Sequence, residues 1–442
     1  MHKLESIAAR ITRLRPARYF GTITAIRAGL VEASGLNAIA SIGDRVTLSI
    51  QSGIAGEIVA LTGKTAEILP EAPVEGLSIG TEVELIFAPR LAPCDGWIGR
   101  IVDPMGQPLD DRPLAQGSQP RRFMTKPPAA ATRKRLGERL DTGLAVFDTL
   151  LPIVRGQRIG LFAGSGVGKS MLLSQLARGV QADIVVIALI GERGRELREF
   201  TENVLGPEGM ARAVVIAATS DQSPLIRRRC AWAAMAVAEH FRDAGRHVLL
   251  LADSVTRFAE AHREVALAAG EDASYRGFPP STSHLIMSLA ERAGPGADGS
   301  GDITGIFSVL VAGSDMEEPV ADILRGVLDG HVVLDRAIAE RGRFPAIDVP
   351  KSVSRSLPHA ASTTENAVIS RARSALGAYA ESEMMIKAGL YAAGTDPKLD
   401  EAVRVFPALD SFITRPSPNG CGDSFTMLAK ALDAAQPALR RP

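Results

Sequence analysis

The chain has 442 residues, of which 46% are hydrophobic and 23% charged, the make-up of a globular protein of about two to four domains. Its formal net charge is zero, which excludes a global field drawing it to nucleic acid or to an acidic membrane and leaves only local basic stripes. Three widely spaced cysteines, Cys94, Cys230 and Cys421, read as free thiols of a reducing compartment; no apolar run reaches the ~20 residues of a membrane span, and the N-terminus lacks the apolar block of a secretory signal.

Residues 1–20 are predicted as an amphipathic helix. Leu4, Ile7, Ile11 and Leu14 fall on one stripe, with Arg10, Arg13, Arg15 and Arg18 mostly elsewhere. A helix docked on a partner protein, a helix packed on its own domain and an Arg-rich transit peptide all fit, the last less well because Glu5 interrupts it. We take partner docking, since chain ends are loosely held unless something ties them down. Residues 21–92 read as short strands at 22–26, 45–50, 56–61, 65–69 and 82–87, with Gly and Ser between several of them. This spacing predicts a small closed β-barrel, which leaves no long edge exposed. The segment has few aromatics for base stacking, so we read it as an assembly module. Residues 93–135, with Gly99 to Pro108 followed by Pro- and Arg-rich sequence, read as a crossing loop between domains.

From about Asp141 the pattern changes to buried strands alternating with helices. The apolar run Ile159 to Phe162 leads into Ala163-Gly164-Ser165-Gly166-Val167-Gly168-Lys169-Ser170, and Met171-Leu172-Leu173 opens a helix. In that strand–loop–helix order, glycines turn backbone N–H groups inward toward a polyphosphate, and the helix terminus adds a positive dipole. Lys169 reaches the β- and γ-phosphates and Ser170 holds Mg²⁺. The usual first glycine of this signature is Ala163 here, so the loop forms only if that residue avoids positive φ. The alternative is a glycine-rich turn that binds nothing; the Gly-Lys-Ser context favours nucleotide. Further strands are predicted at 183–190, 214–219, 247–253 and 306–311, with a helix capped by Ser223 and Pro224 and ended by Gly245. Such runs build a parallel α/β sheet covered on both faces, whose ligands sit at the carboxyl ends of the strands. Gly294 to Gly301 is glycine-rich and predicted to be mobile, and 363–442 is predicted as a small helical domain.

Asp253 ends an apolar strand downstream of the phosphate loop, a placement that suits a carboxylate orienting Mg²⁺, or simply a helix N-cap. Gly191-Glu192-Arg193-Gly194-Arg195-Glu196 supplies a carboxylate to polarise the attacking water and an arginine to neutralise the transferring phosphoryl group. A solvated loop with ordinary surface charges fits that spacing equally well. Ser352-Val353-Ser354-Arg355 offers an arginine that could serve as a finger across a subunit interface; taken alone, it reads as a surface residue.

These segments together resemble the catalytic ATPases of type III protein export, relatives of the rotary ATP synthase subunits. The matching stretches are 156–170, 188–196, 253–258, 276–281 and the Ser-Val-Ser-Arg ending at Arg355, in order along most of the chain. Phe-Ala-Gly-Ser-Gly and Gly-Glu-Arg-Gly-Arg-Glu look like the export branch, which makes Ala163 that branch's own variant. The resemblance implies a RecA-like P-loop core over 93–362, a barrel over 21–92 and a helical domain over 363–442. It implies that Glu192 is the catalytic carboxylate, that Arg193 and Arg257 lie near the phosphates, and that Asp253 orients Mg²⁺. It also implies that Arg355 reaches a neighbour's site and that Phe344 packs on adenine, although a core Phe before Pro345 is a competing reading.

In the synthases the catalytic glutamate and the finger lie on different chains; here one chain carries both Glu192 and Arg355. The expectation is a ring of identical subunits, by family a hexamer, using ATP and Mg²⁺. The implied partners are a regulatory or stator protein at the N-terminal helix, a central stalk protein, the membrane export gate, and export substrates with their chaperones. The implied location is cytoplasmic, at the inner face of the membrane export apparatus. The chain departs from the family over Ser281 to Arg292, which puts stalk or pore contacts there in doubt. A flagellar role is expected, with the injectisome ATPase as alternative. A termination-type helicase shares this core, but it needs a basic track that the neutral charge and aromatic-poor barrel do not offer. A synthase subunit needing a second chain type and a non-hydrolysing assembly protein complete the alternatives.

Overall fold

A computed structural model of the protein describes residues 17–27, 29–48, 53–311 and 316–433, with Tyr275 described by its backbone alone. Six antiparallel strands come first: β1 (Tyr19–Arg27), β2 (Leu30–Ser34), β3 (Arg45–Leu48), β4 (Ile54–Leu61), β5 (Thr65–Pro70) and β6 (Glu82–Phe87). They close a barrel in the order β1-β2-β5-β4-β3-β6, so each strand has two neighbours. Alternate residues point inward, and Ile23, Val31, Val46, Ile58, Ile68 and Val83 fill the interior. β2 escapes the sequence reading because it is five residues long and its inward residues are only Val31 and Ala33. Of the helix predicted over 1–20, residues 1–16 lie outside the described residues. Tyr19 and Phe20 belong instead to β1, where they pair with Leu85 and Glu84. Aromatic side chains suit a pleated seam better than a helix end. The strand expected over 45–50 is described as far as Leu48.

The stretch expected to be a plain crossing loop carries structure of its own. β7 (Arg90–Leu91) pairs with β9 (Arg121–Arg122), and β8 (Arg100–Val102) joins the central sheet at its edge, parallel to its neighbour. Strands of two or three residues leave no periodicity to read, so the tie is visible only in space. Arg100 fixes the loop through both carboxylate oxygens of Asp110, at 2.6 and 2.7 Å.

The central sheet has parallel strands β10 (Arg158–Ala163), β11 (Ile184–Glu192), β12 (Ala213–Thr219), β13 (His247–Asp253), β15 (Asp302–Leu310) and β16 (Gly330–Leu334). β14 (Gly294–Pro295) and β17 (Ile347–Ser354) run antiparallel to their neighbours. The order across the sheet is β17-β16-β10-β15-β13-β11-β12-β8. Every residue from Ile184 to Ile190 is buried, as a strand covered on both faces requires. One face packs on α1 (Ala145–Asp148), α2 (Lys169–Gly179) and the turns α3 (Gly194–Glu199) and α4 (Gly206–Met210), which flank a π-helical turn at Phe200–Leu205. The other packs on α5 (Pro224–Asp243), α6 (Val255–Ala268), α7 (Ser281–Arg292) and α8 (Pro319–Val327). Ser223 caps α5 by accepting from the Ile226 N–H, Pro224 occupies its first turn, and Gly245 follows its end, as predicted. After the short α9 (Arg336–Glu340) come three helices: α10 (Thr363–Lys387), α11 (Pro397–Ile413) and α12 (Cys421–Leu432). A reciprocal box between Ser362 and Glu365 starts α10, Asp396 caps α11, and the rings of Tyr379 and Phe406 stack between those two helices.

Hydrogen bonds and ion pairs hold the neighbouring segments to the sheet. Gly294 to Gly301, expected to be mobile, is held: β14 pairs with β15, Lys134 donates to the carbonyls of Gly296 and Ser300, and Asp302 accepts from Arg155 and Lys134 at 2.6 and 2.8 Å. Close packing accounts for Gly301, since a Cβ there would lie 1.9 Å from the Arg246 carbonyl oxygen. The barrel meets α5 through charge. Glu57 of β4 accepts from Arg228 at 2.6 Å and from Arg229; Arg229 also bonds Glu71, which pairs with Arg45 at 2.8 Å. Glu57, Arg228 and Arg229 are all buried, so the pairs must satisfy one another.

Candidate active site

The carboxyl ends of β10, β15, β13 and β11 lie side by side, and the polar residues of the sheet gather there. Ala163 is the last residue of β10, paired with Leu310 and Leu334, and keeps negative φ, so the side chain in place of the usual glycine costs nothing. The loop then turns through Gly164, Ser165 and Gly166, with Ser165 and Gly166 exposed. Val167 is buried and pins the loop to the core. Gly168 has φ +86°, which a side chain rarely tolerates, and Lys169 begins α2 directly after it.

Lys169 turns back across the sheet edge. Its Nζ bonds Asp253 Oδ1 and lies 3.8 Å from Glu192 Oε1. Asp253 is buried and also accepts from the Ser308 hydroxyl at 2.6 Å. Ser308 escapes the sequence reading; its only signal is a lone serine in the apolar run of β15. Ser170, Glu192, Asp253 and Glu196 line one cleft of about 200 Å³. Burial, then the negative charge of Asp253, push the Glu192 carboxyl up to about 7; Lys169 opposes this only in part. The hydroxyl and carboxylate oxygens that line this cleft are hard donors, which suit Mg²⁺ and not a soft metal.

The remaining predicted residues spread outward from this cluster. Phe344 is 43% exposed, so it is not a core residue; its ring lies against Gly168, where a Cβ would come 3.0 Å from Phe344 Cδ1. Arg257 sits in the first turn of α6, its stem beside Gly191 and its guanidinium on Glu260 at 2.9 Å. Arg193 is exposed and faces Glu196 at 3.7 Å. Both arginines rest on neighbouring acids at the rim. Arg355 is not in this region. Ser354 pairs with Gly330, the first residue of β16, whereas the phosphate loop follows Ala163, which pairs with the last residue of β16, Leu334. Arg355 is therefore displaced along the sheet by about the length of a five-residue strand, ~16 Å. It is exposed and donates to the Arg325 carbonyl at 3.1 Å.

A parallel sheet with a glycine loop, a lysine and two carboxylates at its carboxyl edge defines a P-loop nucleotide-binding core. Residues 143–354 match the nucleotide-binding domain of the ATP synthase alpha/beta family, and residues 361–420 match the C-terminal domain of the T3SS EscN ATPase. The flagellum-specific ATP synthase of Caulobacter vibrioides is 44% identical over 442 residues, covering 98% of this chain and all of that protein. That of Salmonella typhimurium is 40% identical, covering 93% and 92%. The assembled ATPase EscN of the enteropathogenic E. coli type III secretion system superposes with a TM-score of 0.86 at 34% identity, covering 93% and 100%. EscN in complex with its central stalk EscO gives 0.84 at 35% identity, with the same coverage. The chain belongs to the flagellum-specific ATP synthase family. It is an ATP-hydrolysing enzyme of the protein export class. No helix among the described residues is long and apolar enough to cross a membrane.

Proposed function

We propose that this chain powers flagellar protein export as a ring of identical subunits, six by family, whose ATP sites are each completed by a neighbour. The observation that carries this reading is the displacement of Arg355 from Lys169, Glu192 and Asp253 within one chain. A group that cannot reach its own pocket and is exposed at the far edge of the sheet is suited to serve another copy. The phosphate loop from Gly164 to Ser170 cradles the triphosphate, and Lys169 exchanges its carboxylate partners for β- and γ-oxygens. Ser170 and Asp253 hold Mg²⁺, whose charge offsets that of the phosphates. Glu192 accepts a proton from the attacking water, Arg193 and Arg257 steady the leaving charge from the rim, and Phe344 covers the base. The region over 93–362 is the motor, 21–92 the ring-forming module, and 363–442 the face toward a central stalk. The N-terminal segment docks a regulatory partner. The ring works in the cytoplasm against the membrane export gate, on substrates delivered by chaperones.

Mixing two inactive variants tests the shared site. Glu192→Gln and Arg355→Ala subunits each spoil their own interfaces, but an intact Glu192 meets an intact Arg355 at some mixed ones. Recovery of ATP hydrolysis on mixing supports the proposal; a mixture as inactive as its parts sinks it. Co-purification of flagellar and not injectisome components from native cells tests the export system.

A further inference from the structure

The residue before Phe344 does more than the sequence suggests. Arg343 is largely buried and uses its guanidinium in three directions. Nη1 donates to the Pro345 carbonyl at 3.3 Å and Nη2 to the Ile347 carbonyl at 2.9 Å, so the side chain straps the backbone on the far side of Phe344. Nε lies 2.9 Å from Asp410 Oδ1, on α11. Two residues earlier, Arg341 bonds Glu383 of α10 at 2.6 Å. The turn that carries Phe344 is thus tied to the C-terminal helices by two ion pairs, one of them built on a largely buried guanidinium. Phe344 itself projects onto Gly168 of the phosphate loop, with no packed core to hold its ring.

The geometry points to Arg343 as a positioning residue: held by Asp410, it sets the place of the Phe344 ring and makes the aromatic wall of the nucleotide pocket depend on the C-terminal helices. This rests on the reading of Phe344 as the residue that covers the base. A guanidinium suits the task because its planar fork fixes two carbonyls and a carboxylate at once, which a lysine cannot do. Loss of the strap leaves the phosphate and water machinery untouched and loosens only the base contact. The expected signature is a raised KM for ATP at unchanged kcat.

The test compares Phe344→Ala, Asp410→Asn, Asp410→Glu and Arg343→Met in the full chain. Arg343→Met keeps the apolar stem and removes the buried charge. Asp410→Asn and Arg343→Met should each raise the KM for ATP by about three- to tenfold, approaching Phe344→Ala, with kcat within about twofold. Asp410→Glu should restore most of the loss. Inhibition by inorganic tripolyphosphate, which has no base to cover, should be unchanged in all four. If Phe344→Ala raises the KM but the well-folded Asp410→Asn and Arg343→Met do not, the positioning role is wrong and the reading of Phe344 stands. If Phe344→Ala leaves the KM alone, that reading itself falls. A parallel loss of tripolyphosphate inhibition would show general damage to the site and would equally overturn the proposal.

Discussion

At the carboxyl edge of the central sheet, Lys169, Asp253 and Glu192 crowd into one cluster, partly buried and mutually charged. At the amino edge, Arg355 lies open and rests on a backbone carbonyl, while the buried His247 pairs with Thr304 at 2.8 Å. The first edge is a pocket whose lysine is already engaged by acids; the second offers an exposed cation remote from any such pocket. The two groups lie about a strand's length apart along the same sheet. The same contrast appears in the titrating groups. Burial raises the carboxyl of Glu192 at one edge and depresses the imidazole of His247 to about 4 at the other.

The largest effect is expected from Arg355→Ala. If the amino edge serves a neighbour, turnover of the assembled enzyme should fall by about 10³–10⁵ while ATP binding stays intact, read by steady-state hydrolysis beside calorimetric titration. Full turnover in the assembled variant would dissolve the contrast between the edges. Glu192→Gln comes next, with an expected loss of about 10²–10⁴ in kcat. Its stability effect has the opposite sign. The folded pKa of Glu192, about 7, stands above its ordinary 4.5, so folding binds the proton more tightly, and stability is lost as pH rises through that window. The nucleotide-free Glu192→Gln protein should therefore melt higher than the parent at pH 8, and the gain should vanish near pH 4.

Ser308→Ala probes the support of Asp253. Losing that hydrogen bond should raise the Mg²⁺ concentration needed for half-maximal hydrolysis by about 10- to 100-fold, with little change at saturating metal. An unchanged Mg²⁺ requirement would mean that the Ser308 hydroxyl does not orient the acid. The smallest effect belongs to His247. Its folded pKa, about 4, stands below the ordinary 6.5, so its contribution is complete above 6.5 and is lost as pH falls toward 4. His247→Gln should flatten the acid side of the melting curve against pH by about 1–3 kcal/mol, while Glu192→Gln steepens it.

The motor was far more legible in the sequence than its surroundings. The phosphate loop, Asp253 and Glu192 each follow an apolar run long enough to announce a buried strand, so their place at a strand end could be read directly. Ser308 sits inside such a run, and nothing local says which face it takes or what lies opposite. Arg355 could be matched but not located, because its position depends on β17 running antiparallel beside β16, and β16 is not among the predicted strands. The glycines of 294–301 looked like slack because composition reports conformational freedom, whereas at Gly296 and Gly301 a neighbouring backbone oxygen occupies the space of a Cβ. Likewise β8 is three residues long and belongs to the sheet only through contacts with Val214, Val215 and Ile216, far along the chain.

The ionic seam under the barrel has a consequence for how such proteins can be recombined. Glu57 and Glu71 come from one side, Arg228 and Arg229 from the other, and Glu57 is the shared carboxylate: replacing it alone leaves the buried Arg228 without its acid, whereas Arg229 keeps Glu71. A hybrid that took its barrel from one relative and kept this sheet would preserve the seam only if the incoming barrel brought a carboxylate to the place of Glu57.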